Sequence, residues 1–286
     1  MTSSTDPNSI QCLDHGFVRL VEVMGNDASI VQAARVSYGK GTKKSQVDRA
    51  LIFYLMQHRH TTPFEMVEFK FHCKMPIFVA RQWIRHRTAN VNEISGRYSV
   101  MEEVFWQPSV DDLRKQAVTN RQGSTDDHLE GAFAQNIVRE ISEEQKRLYK
   151  QYESYMAAGV AREVARANLP VSLYTEWYWK IDLHNLLHFL SLRMDPHAQK
   201  EIRVFAEAMA VFVKKQCPVA WEAFEEHVLH GAQLSAGDLK ILSEVLHKND
   251  VWNQIEAAKR SQLAKEEASP ARIDRELADL KKKLIC

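Results

Sequence analysis

Between Arg81 and Arg97 the chain places four arginines (Arg81, Arg85, Arg87 and Arg97) and His86, with no lysine and a single acid, Glu93. A guanidinium fork binds phosphate or carboxylate oxygens in pairs, whereas a lysine ammonium acts as a point charge. A solvated helix face normally mixes lysine with arginine and alternates its signs. This cluster instead adjoins Trp83, Ile84 and the apolar run Ile77, Phe78, Val79, Ala80. The pattern predicts a half-buried wall facing an anionic ligand, with Arg81 and Arg85 four apart on one helical face. The plainer reading is a helix tied down by surface ion pairs. With one acid in the window, neutralising the cluster would need partners from elsewhere in the chain.

Other groups could do chemistry, each with a plain alternative. Arg162-Glu163-Val164-Ala165-Arg166 repeats the two-arginine face, but alone it reads as a salt-bridged helix. His184 and His188 have the spacing of two metal-chelating helical histidines, yet Asn185 stands where a zinc hydrolase carries its glutamate. No metal site is therefore expected. His58 and His60 with Thr61, Thr62 and Glu65 form a polar turn, suited to capping or to the edge of a heterocycle. Cys12, Cys73, Cys217 and Cys286 are scattered without a C-x-x-C pair, and nothing marks Cys73 or Cys217 as an activated thiolate. Ser95 lacks a G-x-S-x-G elbow, and neither a G-x-G-x-x-G nor a phosphate-binding P-loop is present.

Elements that would position these groups are legible in the periodicity. Period two marks strands at 17–23, 66–74 (Val67, Phe69, Phe71 and Cys73 on one face) and the aromatic run 173–180. Helices are expected at 29–35 with Ser29 as cap, 48–58, 76–87 led by Pro76, 129–157, 161–168, 182–195 capped by Asp182, and 196–215 capped by Asp195. Gly96 lies in a loop, and 118–128 is a polar loop. Residues 1–12 read as a flexible N-terminus, 13–230 as the main body, and 231–286 as a helical extension. That extension is broken at Gly237 and Ser269-Pro270, and its last helix carries a stripe of Ile273, Leu277, Leu280 and Leu284. The 286 residues suffice for a substantial core, and a formal net charge of +1 argues against a protein coated in nucleic acid. No apolar run is long enough to span a bilayer, so a cytoplasmic protein is expected.

Arg85-His86-Arg87, seven residues and then Ser95 match the R-H-R-x7-S signature of the flavin-dependent thymidylate synthases. The surrounding PIFVARQWIRHR and NEISGRYS resemble that family too, as do the element His60 to Glu65, REVAR-x-x-LP and LRMDPHAQ. These occur in unbroken order over about residues 15–225. The resemblance implies an α/β fold of α+β type, a mixed or antiparallel sheet with long helices, assembled as a homotetramer with shared active sites. It implies reductive methylation of dUMP to dTMP, with 5,10-methylenetetrahydrofolate giving the carbon and NADPH the hydride through FAD.

By the same resemblance, Gln82, Trp83, Ile84 and Arg85 with Glu93, Ile94, Ser95, Gly96 and Arg97 would line the dUMP site, and Arg166 would reach the phosphate from a neighbouring chain. Arg193 would be catalytic, addressing the uracil edge. FAD would meet Ser37, His60, Thr62, Glu65, Arg85, His86, Arg87, Glu93, Asp182, Leu183, His184, His188 and His197. Two other classes stand beside this one: a nucleic-acid module stacking bases on Trp83, Tyr98, Trp177, Tyr178 and Trp179, and a histidine-metal hydrolase.

Overall fold

Every second side chain of β3 (Glu68–Pro76) is buried: Phe69, Phe71 and Cys73 point one way, while Lys70, His72 and Lys74 point the other. This is the alternation of a strand with one face on a core. The computed structural model describes residues 6–36, 48–118, 123–249, 251–265 and 268–285. β2 (Gly16–Met24) and β7 (Tyr174–Asp182) flank β3, and β1 (Ser9–Cys12) and β4 (Asn90–Glu93) form the edges. The order is β1-β2-β3-β7-β4, antiparallel throughout. Ser9–Cys12 thus leaves the segment expected to be flexible, because Ile10 pairs with Val18 at the sheet edge.

The buried face carries Val18, Phe69, Phe71, Trp177, Trp179 and Ile181. Against it pack α4 (Ile77–Trp83), α7 (Leu183–Arg193) and α8 (Lys200–Gln216). Trp83, Trp179, Phe189 and Phe205 are wholly enclosed there, each contributing about 2–3 kcal/mol through apolar burial. The opposite face is polar: Arg19 donates to His72 Nδ1 at 3.0 Å, and His72 Nε2 meets Glu176 at 3.0 Å. Pro76 ends β3 and stands as the N-cap of α4, where its missing N–H leaves no donor unmet.

α1 (Asp27–Val36), α2 (Asp48–Gln57), α3 (Thr62–Glu65) and α9 (Pro218–Phe224) complete this side. Ser29 is not the cap of α1. Asn26 takes that role, its side chain accepting from Ala28 N–H at 2.9 Å, while Ser29 Oγ accepts from Asn26 N–H at 3.2 Å. α2 closes with Arg59 left-handed (φ 57°), and His60 N–H returns to Leu55 O at 2.9 Å. This Schellman-type ending delivers His60 to the surface beside Tyr54.

A second cluster forms where α5 (Gly131–Ala157) brings Tyr149 and Tyr152 onto Met101, Phe105, Ala165 and Leu173. Tyr149 donates to Met101 O at 2.8 Å, and Tyr152 Oη accepts from Met101 N–H at 3.2 Å. Ala165 belongs to the short helix α6 (Arg162–Ala165), so this cluster sets where α6 lies. Part of the expected polar loop is a hairpin, β5 (Arg114–Gln116) with β6 (Ser124–His128). α8 starts at Lys200 rather than after Asp195, which instead heads a separate turn, accepting from His197 N–H at 2.7 Å on its side chain and from Ala198 N–H at 2.8 Å on its carbonyl.

Two compact units divide the chain at Met1–His230 and Gly231–Cys286. The second contains α10 (Ala236–Asn249), α11 (Trp252–Lys265) and α12 (Pro270–Ile285) around Leu263 and Leu277. Ser235 caps α10 by accepting from Asp238 N–H at 3.1 Å, which leaves Gly237 inside the first turn rather than at a break.

Candidate active site

The arginine segment does not continue as helix to Arg87. α4 stops at Trp83, whose ring is locked among Trp177, Trp179, Phe189 and Phe205 at centroid distances of 5.1–5.9 Å. The chain then tightens: His86 N–H returns to Trp83 O at 3.0 Å, three residues back. Arg81 and Arg85 therefore do not share a helical face. Arg85 and Arg87 project as exposed side chains from the turn leading into β4, a strand where only a loop was expected. Among the described residues, Arg81, Arg85, Arg87, Arg166 and Arg193 have no carboxylate within ion-pairing distance, unlike Arg97, which meets Glu163 at 3.3 Å.

His86 turns inward. Its ring stands edge-on to Phe189 at 4.9 Å and lies 6.3 Å from His188. Arg193, the last residue of α7, donates its Nε–H to His86 Nε2 at 3.0 Å. Burial, then the Arg193 charge, then His188 lower the His86 pKa to about 4, so its ring is neutral at ordinary pH. Burial also lowers the pKa of Arg193, which nevertheless stays charged.

The second arginine group lies against the Ser95 to Tyr98 turn. Gly96 is buried, and a Cβ there would come 3.2 Å from Arg166 Cδ and Nη1 and 3.0 Å from Met101 Sδ. Glycine is what allows this approach. Arg162 Nη1 also donates to Tyr98 O at 2.9 Å. Arg166, expected to reach the phosphate of a site in a neighbouring chain, lies beside Gly96 within its own chain. Ser95 Oγ accepts from Arg97 N–H at 3.3 Å, an arrangement that orders the turn. Glu93 is fixed by buried Thr175, which donates to it at 2.6 Å, and Ile94 N–H pairs with Glu176 O at 2.9 Å.

Other expected contacts resolve differently. Trp83 and Leu183 are fully buried, so their side chains belong to the core, and a ligand could meet only their backbone. Ile84 is 42% exposed. Gln82 hydrogen-bonds Gln199, which together with His197, Asp112 and Arg114 borders an open cleft of about 640 Å³. Gln199, which shares Gln82's hydrogen bond, was not foreseen as a neighbour of the site. Thr62 and Glu65 lie on α3, which packs on α7, the helix carrying His184 and His188. Asp182 caps α7 by accepting from Asn185 N–H at 2.9 Å. His60 stacks with Tyr54 at 5.9 Å, and Ser37 lies outside the described residues. Among those residues no three His, Cys, Asp or Glu side chains converge as metal ligands. Cys12, Cys73 and Cys217 are buried with raised pKa values, Cys12 and Cys217 to about 12, so none is a ready thiolate.

Residues 19–219 match the family model described as thymidylate synthase complementing protein. A flavin-dependent thymidylate synthase of Thermus thermophilus is 57% identical over 244 residues, covering 84% of this chain and 87% of that one. The chain belongs to this family. It is an enzyme of the flavin-dependent thymidylate synthases, and a relative from Wolbachia pipientis wMel is 53% identical over 242 residues, 85% of each chain. A solved structure of the UMP/dUMP methylase PolB from Streptomyces cacaoi, bound with 5-Br dUMP, superposes with a TM-score of 0.67 at 34% identity. That match covers 77% of this chain and 99% of PolB. α10, α11 and α12 fall after the end of the family match. No described helix is long and apolar enough to cross a membrane.

Proposed function

We propose that the chain forms dTMP from dUMP, taking the carbon from 5,10-methylenetetrahydrofolate and reducing equivalents from NADPH through bound FAD. The active unit is a homotetramer whose sites are shared between copies. The observation that carries this reading is Arg193, a charged guanidinium held by a neutral imidazole and free of carboxylates among the described residues. Such a group stabilises negative charge developing on a pyrimidine at N3 and O4, which raises electron density at C5. With the described cysteines buried and protonated, activation by charge rather than by a thiolate fits this chain.

Arg85, Gln82 and the Ser95–Arg97 turn bind the nucleotide phosphate together with Arg166, whose fork suits two phosphate oxygens. In a shared site Arg166 travels with the Ser95–Arg97 turn, and Arg85 and His86 travel with Arg193, because the contacts within one chain join them so. The residues present fit FAD by donor chemistry. Arg85 and Arg87, without a carboxylate partner among the described residues, suit its diphosphate, while Thr62, Glu65, His184 and His188 offer polar edges on packed helices. FAD when bound supplies hydride chemistry that no side chain of this protein can provide.

The test is direct. Purified protein should show flavin absorbance, or acquire it with added FAD, and should form dTMP only with dUMP, the folate and NADPH together. A protein that binds no FAD and oxidises no NADPH in the presence of dUMP would end this reading.

A further inference from the structure

Arg193 could have been held by an aspartate or glutamate, the usual partner of a buried-side guanidinium. It is held by an imidazole instead, and the choice has a consequence. An arginine Nε always donates, so the nitrogen it meets at 3.0 Å, Nε2 of His86, must present a lone pair. The His86 proton therefore lies on Nδ1. A carboxylate at this place would hold Arg193 and cancel its charge. A neutral ring holds it and leaves the charge whole.

The tether also selects an edge. A guanidinium has two ways to pair with adjacent acceptors: side-on through Nε and one Nη, or end-on through both Nη groups. With Nε–H spent on His86, only the end-on pair remains for a ligand. The ring itself has little freedom to follow a different arrangement. It stands edge-on to Phe189 at 4.9 Å, and Phe189 is fully buried between Trp83 and Trp179. We infer that His86 is the positioning residue of Arg193: its neutral ring fixes the guanidinium through Nε, so that both Nη groups meet the N3–O4 edge of the uracil end-on with their charge undiminished. The identity of that anion rests on the dTMP-forming reading above; the ring geometry does not.

Full-length protein with 15N-labelled histidine tests the geometry, the His86 signal being assigned by its loss in His86→Gln. The expected ring is neutral at pH 7 with its proton on Nδ1. A ring protonated on Nε2 at that pH overturns the inference whatever the activity. Kinetics give a second arm. His86→Leu should lower kcat for dTMP formation by about a hundredfold, the scale of an ångström-sized misplacement. His86→Gln, whose Oε1 can accept the same Nε–H, should recover much of the loss, whereas His86→Glu should not, because its carboxylate cancels the charge it holds. Equal loss in the leucine and glutamine variants would overturn the positioning role. Wild-type protein that makes no dTMP would refute the functional reading alone, since the labelled ring still reports the tether.

Discussion

The segment from Arg81 to Arg87 and the C-terminal helices α11 and α12 use the same residue types in opposite ways. In the C-terminal unit Arg260 meets Glu256 at 3.0 Å and Asp274 at 3.3 Å, and Glu276 receives Arg272 at 2.7 Å and Lys259 at 3.7 Å. Those pairs hold helices together at modest gain, as partly exposed ion pairs do. In this segment, Arg81, Arg85 and Arg87 have no acid within reach among the described residues, and Arg193 is held by a ring that leaves its charge intact. The difference teaches where to look for a ligand: a cation whose neutralising partner has been left out is kept for an anion that comes and goes.

The largest expected effect tests that contrast at its centre. Arg193→Ala should reduce dTMP formation by about a hundred- to a thousandfold, the range for losing a preorganised charge-stabilising donor, while flavin absorbance persists. Wild-type turnover in this variant would remove the contrast. Arg166→Ala should raise the KM for dUMP by about 10–100-fold, in line with losing a hydrogen bond to a charged group. Gly96→Ala should act in the same direction but more weakly, because the added Cβ meets Arg166 at 3.2 Å and Met101 at 3.0 Å and displaces both slightly; dUMP titration of the two variants ranks them.

The fourth expectation concerns pH. The His86 pKa is lowered to about 4 in the folded chain, below the ordinary value of about 6.5 that applies when unfolded. The unfolded chain therefore binds the proton first, and stability is lost as pH falls from about 6.5 towards 4. Melting temperatures across that window should fall more steeply for wild type than for His86→Gln. The smallest effect is expected in the other region. Glu276→Gln should cost no more than about 1 kcal/mol in denaturant unfolding and leave dTMP formation unchanged. A large loss of turnover there would show that the paired cations also serve the site.

Much of this was legible in the chain. β3 announces itself because Phe69, Phe71 and Cys73 alternate with polar residues, and α7 because Asp182 caps a leucine stripe. The arginine types and spacing pointed to an anion. The end of α4 was not legible, since it depends on Trp83 being caught by Trp177, Trp179, Phe189 and Phe205, all distant in sequence. Trp83 and Leu183 were assigned to ligands by their neighbours in a motif, whereas packing turns both side chains inward. The link from His86 to Arg193 spans 107 residues and has no local signal. Nor did sequence show that Arg166 would rest on Gly96, a contact set by the tyrosines of α5 through the placement of α6.

Trp83 has a further consequence. Its indole meets those of Trp177 and Trp179 nearly edge-on, both at 5.3 Å. Aromatic transitions held so close exchange excitation, giving the folded chain a near-ultraviolet circular dichroism band that free indoles in an unfolded chain lack. Three of the six tryptophans in the sequence thus form an optical label beside the site. A change in the turn that carries Arg85 and His86 can be followed through that label without adding a dye or consuming a substrate.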